Sequence, residues 1–201
     1  MKFFTIAFSI LFSLPLFSQK EMYDICPIKN SEEIPAVNLM TEDAKSINLK
    51  EHIGNEPVIV VFYRGAWCPY CTRHLSALQE VKPQIDSLGY QLIAITPDNF
   101  AKLDSTKTRT KGLDYQLLSD SKLEAINAFG IGWKINDELY QKYKESYGID
   151  AEWWSGSNHH ILPVPAIFIV KDGKIQYQHV DPNYAQRLEP QLLISMLKAV
   201  K

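Results

Sequence analysis

The chain has 201 residues, 46% of them apolar and 22% charged, with a formal net charge of −2 and three cysteines. That balance describes one globular domain with a sizeable core, and it leaves no basic patch for nucleic acid or for an acidic membrane surface. Three cysteines are too few for a disulfide-built scaffold, so their spacing carries the meaning.

Lys2 precedes an apolar run from Phe3 to Phe17, the pattern of a secretory signal ending at Ser18. A run of this length falls short of the roughly 20 residues that a bilayer span needs. No integral membrane span is therefore expected in the mature chain, which is placed in the periplasm or outside the cell. After the signal (1–18), residues 19–32 read as a tether and 33–201 as one domain without repeats or low-complexity breaks.

Ile34 to Met40 and Ser46 to Leu49, joined by a turn at Thr41 to Lys45, predict a peripheral hairpin running into a short helix. Val58 to Tyr63 is an unbroken β-branched and aromatic run, as a strand buried on both faces requires. From Cys68 onward, Cys71, Leu75, Leu78, Val81, Ile85 and Leu88 recur every three or four positions before Gly89. That spacing predicts an amphipathic helix, kinked at Pro83. Gln91 to Thr96 is a second buried strand, and Pro97-Asp98 reads as the start of a helix ending at Gly112. Tyr115 to Leu118 predicts a short strand and Ser121 to Phe129 a helix stopped by Gly130; Leu139, Tyr140, Tyr143 and Tyr147 mark an inserted helix ending at Gly148. Ala166 to Val170 and Ile175 to His179 flank an Asp172-Gly173 turn, a hairpin signal, and Pro190 to Val200 closes the chain as a helix. An α/β sandwich around a mixed sheet is the economical architecture for that order.

Cys68-Pro69-Tyr70-Cys71 sits where a strand hands over to a helix. A helix N-terminus stabilises a thiolate, moving a cysteine pKa from about 8.5 into a range of roughly 3.5 to 7.5. One turn separates the sulfurs, so Cys71 is placed to attack a mixed disulfide formed on Cys68. The competing reading is half a zinc site completed by His74, His159, His160 or Cys26, which lacks a second C-x-x-C or a spaced His pair. Trp67 and Tyr70 read as walls of the site or as core, and Arg64 and Arg187 as sources of positive charge or as surface residues. His159 and His160 are candidate proton exchangers near neutral pH. Cys26 is free to resolve an oxidised cysteine, pair with another chain or stay idle, and Trp153 with Trp154 forms a partner patch or a lid on the core.

Phe62 to Cys71, Ile95-Thr96-Pro97-Asp98, Leu118-Ser119-Asp120 and Leu162 to Val170 together resemble the peroxiredoxin-like branch of the alkyl hydroperoxide reductase/thiol-specific antioxidant family. The resemblance implies a thioredoxin-like α/β fold: a central mixed sheet with helices on both faces, the N-terminal hairpin, and the inserted helix ahead of a cis-proline loop at Pro165. It also implies reduction of peroxides through a Cys68–Cys71 redox disulfide, recycled by a thioredoxin-like dithiol reductant, with no metal or flavin cofactor. Laid on the family pattern, Arg64 stands at a proline, Cys68 at a threonine and Cys71 at the peroxidatic cysteine, whereas thioredoxin logic makes Cys68 the attacking thiol. The family's activating arginine falls at or near Pro165. A protein disulfide reductase of the cell envelope is the alternative function, and a redox-inactive binding module the third.

Overall fold

The computed structural model describes residues 22–200. The predicted secretory signal lies outside them. The N-terminal hairpin pairs β1 (Asn38–Met40) with β2 (Ser46–Asn48) and passes directly into α1 (Leu49–Ile53), where the Asn48 side chain accepts the Glu51 amide hydrogen as an N-cap. Next come β3 (Val58–Phe62), α2 (Pro69–Ser87), β4 (Gln91–Thr96), α3 (Leu103–Arg109) and β5 (Gln116–Ser119), which make two parallel β-α-β crossovers. Helix α4 (Glu124–Ala128) leads into β6 (Gly132–Lys134), α5 (Asp137–Tyr147), α6 (Ala151–Ser155) and β7 (Ile161–Pro163). The hairpin β8 (Ala166–Lys171) and β9 (Lys174–Val180) and the helix α7 (Pro190–Ala199) complete the domain.

Seven strands form one mixed sheet in the order β2-β1-β5-β4-β3-β8-β9, while β6 and β7 pair separately and hold the α5–α6 insertion between them. Every residue of β3 is buried, as its unbroken apolar run requires, with β4 parallel on one side and β8 antiparallel on the other. Successive strand residues point to opposite faces. Phe62 packs its ring 4.9 Å from Phe129 beyond α4, and Tyr63 places its hydroxyl 3.0 Å from Thr106 of α3. Helices therefore cover both faces. The Phe62, Phe129 and Phe168 rings form one cluster under the central strands, with centroids 4.8 to 5.9 Å apart.

Three expectations change. Pro97-Asp98 does not open a helix: Asp98 turns inward to accept the Ala66 amide hydrogen at 2.9 Å, and Asn99 caps a short 3-10 turn, Phe100–Lys102, that precedes α3. No peptide bond among the described residues is cis, so the Val164–Pro165 bond is trans and the cis-proline loop is corrected. Backbone ladders hold that segment extended, since the Val164 amide donates to the Ile131 carbonyl and the Pro165 carbonyl accepts from Asp181. The stretch read as a tether also lies against the domain. Cys26 and Ile28 donate their amides to Gly130 and Phe129, and Ser31 donates to Ile175.

Phe129 is fully buried at the centre of the aromatic cluster. Phe129→Ala is expected to lower unfolding free energy in urea by about 3–5 kcal/mol, the usual cost of emptying such a position.

Candidate active site

Strand β3 delivers the chain to the start of α2 through Arg64, Gly65, Ala66 and Trp67. Gly65 is required by close approach: a Cβ there would stand 2.3 Å from Trp67 Nε1 and 2.7 Å from Asp98 Oδ1. The indole folds back over this bare backbone and hydrogen bonds to Asp98, whose other oxygen holds Ala66. Burial pushes the Asp98 carboxyl up to about 7.

Cys68 is the N-cap of α2, with extended backbone (φ −86°, ψ 112°), and its Sγ accepts the Cys71 amide hydrogen at 3.4 Å. Pro69 takes the first helical position, where a missing N–H costs nothing. Cys71 lies in the first turn, and both cysteines are buried free thiols. A hydrogen bond from the Cys71 thiol, supported by the charge of Arg64, the Cys71 amide and the charge of Arg187, outweighs burial and brings the Cys68 thiol down from 9.0 to about 6. Cys71 moves the other way. Burial, then the hydrogen it shares with Cys68 and the thiolate's own charge, raise it well above the ordinary value. At neutral pH the pair is a Cys68 thiolate beside a Cys71 thiol.

Arg64 is 3% exposed, yet no carboxylate pairs with it among the described residues. Its guanidinium lies 5.0 Å from the Trp67 ring centroid, 5.5 Å from that of Tyr143 and 4.6 Å from that of Tyr184, and it donates to the Tyr143 hydroxyl at 2.6 Å. Ring faces offset desolvation by about 0.5–2 kcal/mol each, and the Cys68 thiolate supplies the counter-charge. Arg187, from the segment before α7, approaches the other sulfur, with Nη2 3.4 Å from Cys71 Sγ. Positive charge thus reaches the two cysteines from the loop after β3 and from the segment before α7.

Cys68 opens onto a cleft of about 560 Å³ lined by Arg64, Trp67, Tyr70, Arg109, Tyr143 and Trp154 among others; Cys71 does not line it. Tyr70 stands at the rim, 40% exposed, with its ring 5.8 Å from Tyr184. The far wall comes from α5 and α6: Tyr143, Tyr147, Gly148, Ile149 and Trp154. Of the tryptophan pair, Trp154 is a buried wall of the cleft, while Trp153 faces outward with Lys102 Nζ 3.3 Å from its ring.

Other expected residues lie elsewhere. Pro165 is buried in the strand connection and does not line the cleft. His160 stacks on Tyr140 at 4.1 Å and bonds to Glu152 Oε1 at 2.8 Å, and His159 accepts the Ile161 amide hydrogen. Both brace the insertion. His74 is buried in α2, and burial lowers its pKa to about 4. Cys26 is exposed beside the Gly130 turn. Arg109, Tyr143 and Tyr184 carry no site signal in the sequence: Tyr143 shows there only as helix periodicity, and Arg109 and Tyr184 lie far from the cysteines along the chain. Asp98, part of the Ile95-Thr96-Pro97-Asp98 segment that resembles the family, joins the site through the Ala66 amide.

A family model described as the AhpC/TSA family matches residues 31–178. Peroxiredoxin bcp1 of Schizosaccharomyces pombe is 28% identical over 116 residues, 58% of this chain and 59% of that protein. The chain spans between 44 and 66% of the lengths of the curated peroxiredoxins it matches. The thiol-disulfide oxidoreductase ResA of Bacillus anthracis is 24% identical over 174 residues, 86% of this chain and 79% of that one. Among solved structures, peroxidoxin BcpB from Mycobacterium tuberculosis superposes with a TM-score of 0.66 at 16% identity, covering 87% of this chain and 99% of its own. That likeness establishes the thioredoxin-like fold.

Iodoacetamide is expected to label Cys68 ahead of Cys71 at pH 7 in mass-mapped time courses. The labelling rate should rise with a midpoint at about 6, and Arg64→Met should move that midpoint upward. Cys71 labelled first would reverse the assignment.

Proposed function

This chain belongs to the AhpC/TSA family, and from that premise we propose that it is a thiol peroxidase in which Cys68 takes the peroxide oxygen and Cys71 resolves it. One observation carries the reading: Cys68 is the ionised member of the pair and the one that lines the cleft. Its thiolate attacks the distal oxygen of a hydroperoxide, the O–O bond breaks, and the departing alkoxide takes a proton from solvent to leave as alcohol or water. Arg64 and the Tyr143 hydroxyl it holds stand where that developing negative charge is stabilised. The Cys71 thiol then attacks the Cys68 sulfenic acid, a disulfide forms, and water leaves. An external dithiol returns both cysteines to thiols and is itself oxidised to a disulfide.

This order of events follows thioredoxin logic and departs from the family alignment, which puts Cys71 at the peroxidatic position. A raised pKa and a place behind the cleft lining argue against Cys71 as first nucleophile. The reductant is proposed to be a thioredoxin-like protein, and the apolar segment after Lys2 supports export to the periplasm or beyond. A second reading has its own support: the long alignment with a thiol-disulfide oxidoreductase fits attack by the same thiolate on a protein disulfide.

Reduced Cys71→Ser protein exposed to one equivalent of hydrogen peroxide should give a dimedone-trapped sulfenate on Cys68, and Cys68→Ser should give none. Peroxide consumption driven by dithiothreitol should fall at least about tenfold in Cys68→Ser, whereas Cys71→Ser, whose sulfenate the small dithiol reduces directly, should keep turning over. Rapid reduction of a protein disulfide with no peroxide consumption would select the second reading.

A further inference from the structure

The attack of Cys68 on peroxide gives Arg187 no part, yet this arginine lies at the sulfur that reacts second. Its Nη2 stands 3.4 Å from Cys71 Sγ, and no other side chain among the described residues donates to that sulfur. The guanidinium is aimed by its own segment, because Nη1 donates to the Tyr184 and Gln186 carbonyls. The turn that carries those carbonyls is tied stepwise to the sheet. Asp181 donates its amide to the Pro165 carbonyl, Asn183 to the Asp181 carboxylate, Ala185 to the Asn183 side chain and Gln186 to the Asn183 carbonyl. Buried Leu188 pins the far end. No carboxylate pairs with Arg187 among the described residues. It lines a separate groove of about 270 Å³ with Tyr70, Arg73 and His74, and so reaches Cys71 from outside the Cys68 cleft.

The geometry points to Arg187 as a catalytic residue of the second step, holding negative charge on Cys71 when that sulfur attacks and again when it leaves. In the reduced pair Cys68 has the charge and Cys71 the proton. Oxidation of Cys68 to a sulfenic acid removes the charge, and with it the thiolate's repulsion and its hold on the shared hydrogen. Cys71 then attacks Cys68 Sγ: an S–S bond forms, the S–O bond breaks, and the departing hydroxide takes the Cys71 proton as water. When a dithiol reductant attacks Cys68, the S–S bond breaks and its electron pair goes to Cys71, which leaves as a thiolate. The reductant's second thiol then displaces Cys68, and the reductant becomes a disulfide. Both steps put charge on a buried sulfur, which is costly without a partner. A guanidinium N–H strengthens its bond to that sulfur as the charge develops. The inference rests on the peroxidase reading for the first step and names the residue that governs the second.

The test compares two rate constants within each variant, in a Cys26→Ser background at pH 8, where Cys68, titrating at about 6, is ionised. Reduced protein mixed with hydrogen peroxide is acid-quenched and weighed as the intact chain. A gain of one oxygen marks the sulfenic acid, and a loss of two hydrogens marks the disulfide. A parallel arm uses dithiobis-nitrobenzoate, which loads thionitrobenzoate onto Cys68; its displacement by Cys71 is a second release of absorbance, independent of reagent concentration. Arg187→Met should lower the ratio of second step to first about tenfold in both arms, the effect of losing one charge-assisted contact. Arg187→Lys, which keeps the charge, should recover part of that loss. A general loss of reactivity cancels in the ratio, and partly exposed Arg187 can be replaced without opening the core. An unchanged ratio in Arg187→Met, in an arm where the parent protein reacts, or a lysine variant no better than methionine, would overturn the inference. A parent protein inert to peroxide, with the tenfold loss still seen in the nitrobenzoate arm, would instead overturn the peroxidase reading and keep the Arg187 assignment.

Discussion

The sulfur of Cys68 receives two hydrogens from a single residue, one from the amide of Cys71 and one from its thiol. Three residues of separation on the first turn of α2 make that possible, because the N-cap position points its side chain back at the amide three residues on. One negative charge is therefore shared unequally. Cys68 holds it, and Cys71, enclosed on every side, keeps the proton. The same contact that activates the first thiol stores the second in the protonated form, already positioned to attack whatever the first becomes.

Much of the surrounding structure serves to keep that charge in place. Arg64 would be costly to bury alone, since an uncompensated cation in a dry site loses its hydration. Three aromatic rings, a tyrosine hydroxyl and the neighbouring thiolate replace the water. Two of those rings, Tyr143 and Tyr184, come from the α5 insertion and from the segment before α7, so the cation ties distant parts of the chain to the strand that precedes the cysteines. On the other side, Gly65 lets the Trp67 indole reach Asp98, and Asp98 holds the loop through Ala66. The central strand, buried on both faces, gives this loop a fixed origin.

Elements with a long or distinctive pattern were legible in the sequence: β3 from its unbroken apolar run, α2 from its three-to-four spacing, and β8–β9 from the Asp172-Gly173 turn. The cysteine pair and its place at a helix start were legible for the same reason. Strands β6 and β7, three residues each, are too short to show a period, and their pairing joins positions 132 and 163. Pro165 misled because a proline before a buried strand suits either peptide isomer, and the deciding hydrogen bonds, to Ile131 and from Asp181, are non-local. Arg109 and Tyr184 reach the cleft only through the fold. Arg187 was recognisable as a charge, but its position against Cys71 depends on the chain returning across α2 before α7.

The most direct test of the account asks whether Cys71 is what ionises Cys68. In a Cys26→Ser background, thiolate absorbance at 240 nm should show Cys68 titrating at about 6, and Cys71→Ala should move that titration upward toward the ordinary thiol value by removing the donor thiol. A Cys68 titration that stays at about 6 in the alanine variant would contradict the account and leave the arginines alone to explain the thiolate.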